Sequence, residues 1–330
     1  MEIGKLTNAQ LEEIIFSKIK YKHSNVLIGS GVGEDCSIID FKRDLCVIST
    51  DPITATTKDI GRLAVHVSCN DVASKGIKPF AIMITLLAPP SCSLEEIQKV
   101  MEDMIDTTNE LSIQIIGGHT EITDAVNRMV ISTTCIGAGS KDNLILGTDE
   151  ISPGDVLLMT KFAACEGTTI LYNDFQKQLM AILSDEDLKQ LNILSESVSV
   201  IEEGVIAAQV GVKIMHDVTE GGILGAAWEI AEKTQLGLKL DIQNIPLLDV
   251  TQKITAFFHM DPYKLISSGV MLMVASQEKS APLREELIKK GIKATAIGEF
   301  YKGDSIITKK DGNITHLIPP KCDELYNAYR

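Results

Sequence analysis

Apolar residues in the first half of the chain alternate between short runs and segments with helical spacing. This pattern predicts the element order β-α-β-α-β-β after an opening helix. The predicted strands are 45–51, 81–88, 113–116 and 129–137, and the predicted helices are 7–20, 59–76 and 93–111. Ser93 and Glu96 form a capping box, which supports a helix start at that point. The first half is therefore expected to be an α/β unit.

A polar segment over residues 140–155, which contains Pro153 and Gly154, separates this half from a second one. The second half is predicted to contain strands at 156–161, 213–215, 237–242, 270–275 and 292–297 and helical segments at 184–209, 221–233 and 282–290. We therefore expect an α/β (α+β) protein with two domains, 1–145 and 150–330. The 330 residues suffice for two domains that each have a core.

The helix predicted over 59–76 carries Asn70 and Asp71 next to its apolar stripe. A carboxylate that is partly buried without a partner is costly. Two explanations stay open at this stage. Lys75 lies four residues after Asp71, which makes a surface ion pair one of them. A bound cation that faces Asp71 is the other.

The composition argues against several classes of function. The formal net charge of −14 argues against nucleic acid or an anionic membrane as the main partner, but it allows a nucleotide bridged by Mg²⁺. No apolar run approaches the roughly 18 residues of a membrane span. The seven cysteines form no Cys-x-x-Cys pair, which argues against a zinc ribbon or a disulfide framework. We therefore expect a protein of the reducing cytoplasm.

Five acidic residues stand at or near the ends of predicted strands or helices, mostly beside small residues: Asp35, Asp51, Asp71, Glu121 and Asp217. Carboxylates that converge without Lys or Arg have raised pKa values or bind a metal ion. Magnesium takes one or two carboxylates together with phosphate oxygens and water. Taken singly, each acid has a structural explanation, such as a turn at Asp51 or a helix cap at Asp217. Taken together, they predict a Mg²⁺–nucleotide site.

Three segments that contain glycine accompany these acids. The segment around Gly33 is not a P-loop, since no Gly-Lys-Ser/Thr follows, and it is not a dinucleotide fingerprint, since no helix opens there. GGHT (117–120) follows a predicted strand, and a tight turn is the structural alternative. HDVTEGG (216–222) leads from a strand end through glycines into a helix. Backbone N–H groups in that setting form an anion site.

Seven motifs resemble the AIR synthase-like (PurM-like) superfamily of ATP-binding enzymes, and the resemblance is closest to the hydrogenase-maturation factor HypE and HypE-like proteins. The motifs are GEDCSII (33–39), STD (49–51), DIGRLAVHVSCNDVASKGIKP (59–79), GGHTEI (117–122), EGTTIL (166–171), HDVTEGGILGA (216–226) and SSGVML (267–272). Their order and spacing are specific, although no single motif is. The resemblance implies two α/β domains with ATP in the cleft between them. It also implies a homodimer in which the N-terminal sheets pair into a barrel.

The resemblance further implies roles for individual residues. Catalytic roles fall on Asp71, His119 and Asp217. Metal-binding roles fall on Asp35, Asp51, Asp71, Glu121 and Asp217. Nucleotide-binding roles fall on Gly33, Asp51, Asn70, Gly117, Gly118, Thr120, Thr219, Gly221 and Gly222. Several relatives carry an acid at the position of His119, and the neighbouring Glu121 is the alternative ligand here.

The expected function is that of a Mg-ATP-dependent enzyme, HypE-like and related to hydrogenase maturation, that phosphorylates or activates an oxygen of a small-molecule or protein-bound acceptor. A hydrogenase-maturation protein is the partner that this implies. The alternatives are an enzyme like the phosphoribosylformylglycinamidine cyclo-ligase or the thiamine-monophosphate kinase, and a nucleotide-binding scaffold without catalysis. The tail departs from that of HypE, because eight residues follow Cys322. GGHT also departs from the GGDT of the thiamine-phosphate kinase.

Overall fold

The computed structural model divides the chain into two units. It describes the chain apart from residues 1–3, 6–7, 29–37, 40–44, 54–58, 141–143, 146–150, 235, 319, 321 and 330. Unit one comprises Met1–Val72 and Ile77–Asp142, and unit two comprises Ala73–Gly76 and Asn143–Arg330. Most of the predicted boundary between 145 and 150 lies outside the described residues.

Apart from three short strands before residue 45, the predicted element order of the first half is confirmed. The elements from residue 4 to residue 139 are strands β1 (Gly4–Lys5), β2 (Val26–Ile28), β3 (Ile38–Ile39), β4 (Leu45–Ile53), β5 (Pro79–Ala88), β6 (Gln114–Ile122) and β7 (Val130–Gly139), and helices α1 (Asn8–Ile14), α2 (Ile60–Ala73) and α3 (Leu94–Leu111), with a 3₁₀ turn at Phe16–Lys18. Five strands form a sheet in the order β1-β6-β5-β7-β4, and β2 pairs with β3. Strands β5 and β6 are parallel, whereas β7 is antiparallel to β5 and to β4.

The two faces of this five-stranded sheet differ, because side chains alternate along each strand. Ile84 is buried and lies opposite Thr133, whose hydroxyl donates a hydrogen bond to the Ala64 carbonyl of α2. We call the side of Ile84 and Thr133 the helix face. Thr85 points the other way and is exposed. Ile48 is 60% exposed on this second side, which we call the open face.

Helix α2 is shorter than predicted. It ends at Ala73, because the chain turns there and the Gly76 N–H donates to the Ala73 carbonyl. Gly76 has a φ of 78°, a left-handed conformation that glycine adopts without steric cost. Asp71 therefore lies in the last turn of the helix. The capping box of Ser93 with Glu96 at the start of α3 is confirmed.

Strand β6 is longer than predicted. The expectation that the strand ends at residue 116 is wrong, since β6 continues through Gly117 and Gly118 to Ile122. Gly118 lies opposite Ile84 of β5, and a Cβ atom on Gly118 would be 1.9 Å from the Ile84 carbonyl oxygen. The glycine therefore permits close strand pairing in the middle of the sheet.

Unit two contains a seven-stranded sheet with helices packed against it. Its strands are β8 (Val156–Thr160), β9 (Ile214–Asp217), β10 (Gly237–Asp241), β11 (Met271–Ala275), β12 (Ala294–Tyr301), β13 (Ile306–Lys310) and β14 (Asn313–His316), in the order β14-β13-β10-β12-β8-β11-β9. Its α-helices are α4 (Cys165–Asp174), α5 (Gln176–Leu179), α6 (Asp185–Glu196), α7 (Ile201–Val210), α8 (Gly222–Thr234), α9 (Asp249–Phe257) and α10 (Gln277–Lys289), and its 3₁₀ turns are Ile242–Asn244, Pro262–Lys264 and Glu324–Tyr329. The predicted strands are all present, whereas the helical segment predicted over 184–209 is two helices, α6 and α7. Helices α5 and α9 and the hairpin β13–β14 were not predicted.

A methionine-rich core lies at the end of this second sheet that β11 and β9 form. Met215, Met271 and Met273 of adjacent strands are at most 3% exposed and pack with Leu283 and Leu287 of α10. Helix α10 begins at Gln277 and not at 282 as predicted, so Pro282 lies inside it. Among the described helices, none has the length and apolar character that crossing a membrane requires.

Candidate functional site

The last turn of α2 brings Asp71 against strand β4 in unit one. Ser49 and Asp51 are two residues apart on β4, so both point to the helix face, where they lie opposite Cys135 and Thr133 of β7. The Ser49 hydroxyl donates a hydrogen bond of 2.5 Å to Oδ2 of Asp71. The two acids predicted to share a site are therefore neighbours in space.

Asp51 and Asp71 form a carboxylate pair. A hydrogen bond with Asp71 raises the pKa of Asp51 to about 7, and burial and the Asp71 charge act in the same direction. Oδ2 of Asp51 is buried and has no hydrogen-bond partner among the described residues. Such an oxygen is costly unless a proton or a cation satisfies it. Asp71 therefore has partners on β4, and a cation that faces the pair stays a prediction.

This pair fits Mg²⁺ in its donor set. Carboxylate oxygens are the ligands that Mg²⁺ prefers, and it commonly takes one or two of them and completes its shell with substrate phosphates and water. Among the described residues, no group of three His, Cys, Asp or Glu side chains is placed to hold a metal ion. At this point the described part of the chain thus brings together two carboxylates, those of Asp51 and Asp71. Asp35 and Gly33 lie outside the described residues.

Polar contacts deep in unit one fix the position of α2. The Ser68 and Thr133 hydroxyls are 2.6 Å apart, and the Thr133 hydroxyl donates to the Ala64 carbonyl at 2.8 Å. In the same layer the Cys135 thiol donates to the Cys69 sulfur at 3.6 Å. Asn70, 1% exposed, lies in the same turn as these residues. The contacts hold the end of the helix, and with it Asp71, against the sheet.

His119 and Glu121 lie on the open face of the same sheet. His119 is opposite Thr85, and its Nε2 atom is 3.1 Å from Oε2 of Glu121. Both side chains are more than one third exposed. Within one chain, the structure therefore does not bring His119 or Glu121 together with Asp51. Thr120 points to the helix face and is 8% exposed.

The segment HDVTEGG in unit two forms a turn between β9 and α8. Asp217 ends the strand and is 6% exposed. Gly221 and Gly222 have φ values of 79° and 61°. A Cβ atom on Gly222 would be 2.7 Å from the carbonyl oxygens of Leu265 and Tyr263, so only glycine fits there. The predicted turn from a strand into a helix is present, and Thr219 accepts the Gly222 N–H at 3.2 Å.

Comparison with known proteins assigns the chain to a family. Residues 33–138 match the family model of the AIR synthase related protein N-terminal domain, and residues 152–310 match the model of its C-terminal domain. These matches cover well over half of the chain. The chain belongs to the AIR synthase related protein family. The resemblance inferred from the motifs is confirmed.

Relatives of this AIR synthase related protein include hydrogenase-maturation proteins. A protein of Methanocaldococcus jannaschii named for hydrogenase expression and formation is 28% identical over 284 residues, which are 83% of this chain and 81% of that relative. The carbamoyl dehydratase HypE of Rhizobium leguminosarum bv. viciae is 25% identical over 257 residues, which are 74% of this chain and 70% of that enzyme.

Solved HypE structures share the fold of this AIR synthase related protein. The hydrogenase maturation protein HypE in complex with ATP has a TM-score of 0.80 at 20% identity and covers 95% of this chain and 94% of its own. HypE from a HypE–HypF complex has a TM-score of 0.71 at 19% identity, and the match covers 86% of this chain and 92% of that HypE chain. At these identities the likeness concerns the fold, and the predicted PurM-like fold class is confirmed.

The sequence reasoning did not single out Glu166, which stands at the start of α4 in the EGTTIL motif of the AIR synthase related chain. Glu166 is 4% exposed, and its Oε2 atom has no hydrogen-bond partner among the described residues. Burial raises the pKa of Glu166 to about 7, and the charges of Asp323 and Glu220 add to this. The sequence does contain a signal for this residue: in EGTTIL, an acid stands beside small residues at the start of a helix. Ser49 was quoted in its motif but given no role.

Proposed function

We propose that this AIR synthase related protein is a Mg-ATP-dependent, HypE-like enzyme that uses ATP to phosphorylate or activate an oxygen of an acceptor. The observation that carries the proposal is the Asp51–Asp71 pair: the pKa of Asp51 is raised, and its buried Oδ2 atom has no hydrogen-bond partner in the part of the chain that the structure describes. The relatives support the proposal, since one is a carbamoyl dehydratase HypE and one HypE structure is a complex with ATP. The two matches together favour ATP chemistry over a scaffold role.

In this proposal, residues of both units have distinct tasks. Asp51 and Asp71 would hold Mg²⁺, and the Ser49 hydroxyl orients Asp71. Bound Mg²⁺ supplies charge neutralisation for the phosphate oxygens of ATP. The backbone N–H groups of the turn at Gly221 and Gly222 would bind an anionic group. Asp217 adds a carboxylate directly before that turn, and its predicted catalytic and metal-binding roles are retained in the proposal.

The open face of the sheet in unit one supports a proposed homodimer. An exposed sheet face with an apolar residue such as Ile48 is a surface that a second copy can cover. His119 and Glu121 lie on this face, so a second copy would surround them with residues of both chains. The predicted roles of His119 and Glu121 therefore belong to the dimer in this proposal. A HypF-like maturation protein is the proposed partner, because a related HypE structure contains HypF.

Calorimetric titration with ATP, with and without Mg²⁺, tests the proposed function. We expect the wild-type protein to bind ATP more tightly when Mg²⁺ is present. Asp71→Asn should lose most of this gain, since it removes a charged ligand of the ion. The control is Asp106→Asn, the same change at an exposed position of α3. The proposal fails if the Mg²⁺ effect in Asp71→Asn equals that in the control.

A second candidate differs in the acceptor and is favoured by the packing beside Cys322. Cys322 is exposed, but the next residue, Asp323, is 2% exposed and accepts the Gly221 N–H, whereas a carrier cysteine has to reach the reacting group. A separate small molecule is the acceptor in this second candidate. The activity of Cys322→Ala in a hydrogenase-maturation assay distinguishes the two. Loss of activity in a maturation assay supports the carrier, and unchanged activity supports the separate acceptor.

A further inference from the structure

Unit two contains an open cavity of about 900 Å³ between the hairpin β13–β14 and the helical segments opposite it. Leu224 of α8 and Met260, which follows α9, form an apolar part of its wall and are at most 7% exposed. The 3₁₀ turn Pro262–Lys264 continues this wall. All residues that line the cavity belong to unit two. A cavity of this size accommodates a small-molecule ligand.

The hairpin directs polar side chains toward this cavity. On the side of the sheet that borders the cavity, β10 and the start of β13 carry the buried residues Leu238, Leu240 and Ile306. Because side chains alternate along a strand, four polar residues of the hairpin follow on the same side, and all four line the cavity: Thr308, Lys310, Asn313 and Thr315. The other side of the hairpin carries Ile314, which is 61% exposed. This pattern reverses the usual one, in which apolar side chains face the interior and polar ones face water.

The reversed pattern leaves polar groups available inside the cavity. The hydroxyls of Thr308 and Thr315 are 2.8 Å apart and satisfy each other. Lys310 and Asn313 lie opposite each other on the two strands. Within the part of the chain that the structure describes, neither of these two side chains has a hydrogen-bond partner in the protein. Both can therefore donate to a molecule in the cavity.

The charged residues of the cavity indicate the kind of ligand. Two aspartates and two lysines line it. Asp261 lies 3.4 Å from the ammonium group of Lys264. Asp311 accepts a hydrogen bond of 2.7 Å from the side-chain amide of Gln243. Both carboxylates thus have partners in the protein, whereas Lys310 forms no ion pair with any described residue and remains for an anion.

The cavity adjoins the turn of the motif HDVTEGG. Tyr263 lines the cavity, and its carbonyl oxygen and that of Leu265 lie against Gly222, where a Cβ atom would be 2.7 Å from each oxygen. Leu224 belongs to the first turn of α8, directly after this glycine. A molecule in the cavity therefore contacts elements that pack against the motif.

We propose that this cavity binds a small organic anion that has an apolar body and a carboxylate or phosphate group. The apolar body lies on Leu224 and Met260, and the anionic group accepts hydrogen bonds from the Lys310 ammonium and the Asn313 amide. The inference goes beyond the proposed function, because it uses none of the residues assigned to Mg²⁺ or to ATP.

Methionine-methyl NMR of the full-length protein tests this site directly, because Met260 lies in its wall. Phenyl phosphate and benzoate are the anionic probes, and benzyl alcohol is a neutral probe with a similar body. We expect the anions to shift the Met260 methyl signal, which is identified by its absence in Met260→Leu. The signal of Met273, in the methionine-rich core, should stay in place. The anion with the lower dissociation constant shows whether the site prefers a phosphate or a carboxylate.

Two lysines next to each other on β13 provide a matched pair of variants. Lys310→Gln removes the ammonium group from the cavity, whereas Lys309→Gln makes the same change on the other side of the hairpin. We expect Lys310→Gln to weaken binding of the preferred anion roughly fivefold at low ionic strength, because one charged contact is lost. Lys309→Gln should bind the anion as the wild type does.

The outcomes decide this inference without reference to ATP, so the proposed function stands or fails separately. Weaker anion binding in Lys310→Gln than in Lys309→Gln, with benzyl alcohol bound less tightly than either anion, supports the inference. Equal anion binding in the two variants, equal affinity for the neutral probe, or no shift of Met260 with any probe overturns it. If Lys310→Gln does not fold, Thr315→Trp, which fills the cavity, should abolish the shift of Met260. An unchanged shift in that variant overturns the inference as well.

Discussion

Among single residues, two carboxyl groups stand out because their pKa values are raised. Asp51 next to Asp71 and Glu166 near Asp323 both have a pKa of about 7. Each keeps one buried oxygen without a hydrogen-bond partner among the described residues. An acid in this state is unsatisfied until it meets a proton or a cation. Asp51 and Glu166 are therefore the residues that we expect to bind a proton or a cation.

Substitution of Asp51 should stabilise the protein and weaken its response to metal. At pH 8 both acids of the pair are ionised and repel each other, so Asp51→Asn should raise the Tm by roughly 2 °C in the absence of divalent ions. With Mg²⁺ the wild type should have the higher Tm, because binding of the ion stabilises its folded state and the variant binds the ion less well. Thermal unfolding with and without Mg²⁺ measures both effects. An Asp51→Asn protein that gains as much from Mg²⁺ as Asp106→Asn does would contradict the account.

Glu166 should make the stability of the protein depend on pH. Its pKa in the folded protein is about 7, above the ordinary value of 4.5, so the folded state holds the proton more strongly. Stability should therefore fall as the pH rises from about 4.5 through 7. Glu166→Gln keeps the shape without the charge and should be more stable than wild type at pH 8 by up to roughly 3 kcal/mol, but equally stable at pH 4.5.

Urea unfolding at pH 4.5 and pH 8 measures this difference. The control is Glu232→Gln, which makes the same change at an exposed position of α8. A Glu166→Gln protein that shows the same fall in stability between the two pH values as Glu232→Gln would refute the role of this acid.

At the scale of elements, the register of β6 decides where its polar residues point. Ile82 of β5 lies opposite Ile115, but the next residue, Met83, lies opposite Gly117. The bulge at Ile116 therefore turns every later side chain of β6 to the other face. For this reason His119 lies on the open face, although simple alternation from Ile115 would place it on the helix face.

Gly118 should be essential for the pairing of β5 with β6. In Gly118→Ala, the new Cβ atom would be 1.9 Å from the Ile84 carbonyl oxygen, so the strands must separate. We expect a loss of more than roughly 3 kcal/mol in the free energy of unfolding. Gly291→Ala is the control, because Gly291 also has a positive φ but has no atom within 4 Å of the new Cβ. It should cost about 1 kcal/mol. Similar losses in the two variants would contradict the steric argument.

Periodicity predicted the elements where apolar residues mark them clearly. The order from β4 to β7 and the helix face of α2 follow from such runs, and the pairing of Asp51 with Asp71 follows from their places at the ends of elements. The sequence could not predict that Gly117 and Gly118 continue strand β6, because a glycine pair usually indicates a turn. The pairing of Gly118 with Ile84 of β5 is a tertiary contact, which local sequence does not show. The hairpin β13–β14 is mostly exposed and lacks a strong apolar pattern.

The tail contact was also beyond sequence reasoning. Asp323 is separated from Gly221 by more than a hundred residues, and nothing in the sequence pairs them. The same holds for the contact of Tyr329 with Asp174. Contacts between distant segments depend on the whole fold, whereas motifs report only local geometry.

At the scale of the whole molecule, the proposed homodimer depends on the open face of the first sheet. Ile48 on this face is 60% exposed, and Ile314 on β14 of unit two is 61% exposed. Ile48→Glu should convert the dimer to a monomer, because it places a charge in a face that a second copy would bury. Ile314→Glu should leave the dimer unchanged. Light scattering coupled to gel filtration measures the mass, and a dimer that persists in Ile48→Glu would refute this interface.

In the proposed function, Asp51 and Asp71 together hold a divalent ion that serves ATP. Electron paramagnetic resonance with Mn²⁺, an ion that takes the same oxygen ligands as Mg²⁺, measures this most directly. We predict that wild-type protein with ATP depletes the signal of free Mn²⁺ well beyond ATP alone, and that the double variant Asp51→Asn/Asp71→Asn does not. Equal depletion by the wild type and the double variant would contradict the claim.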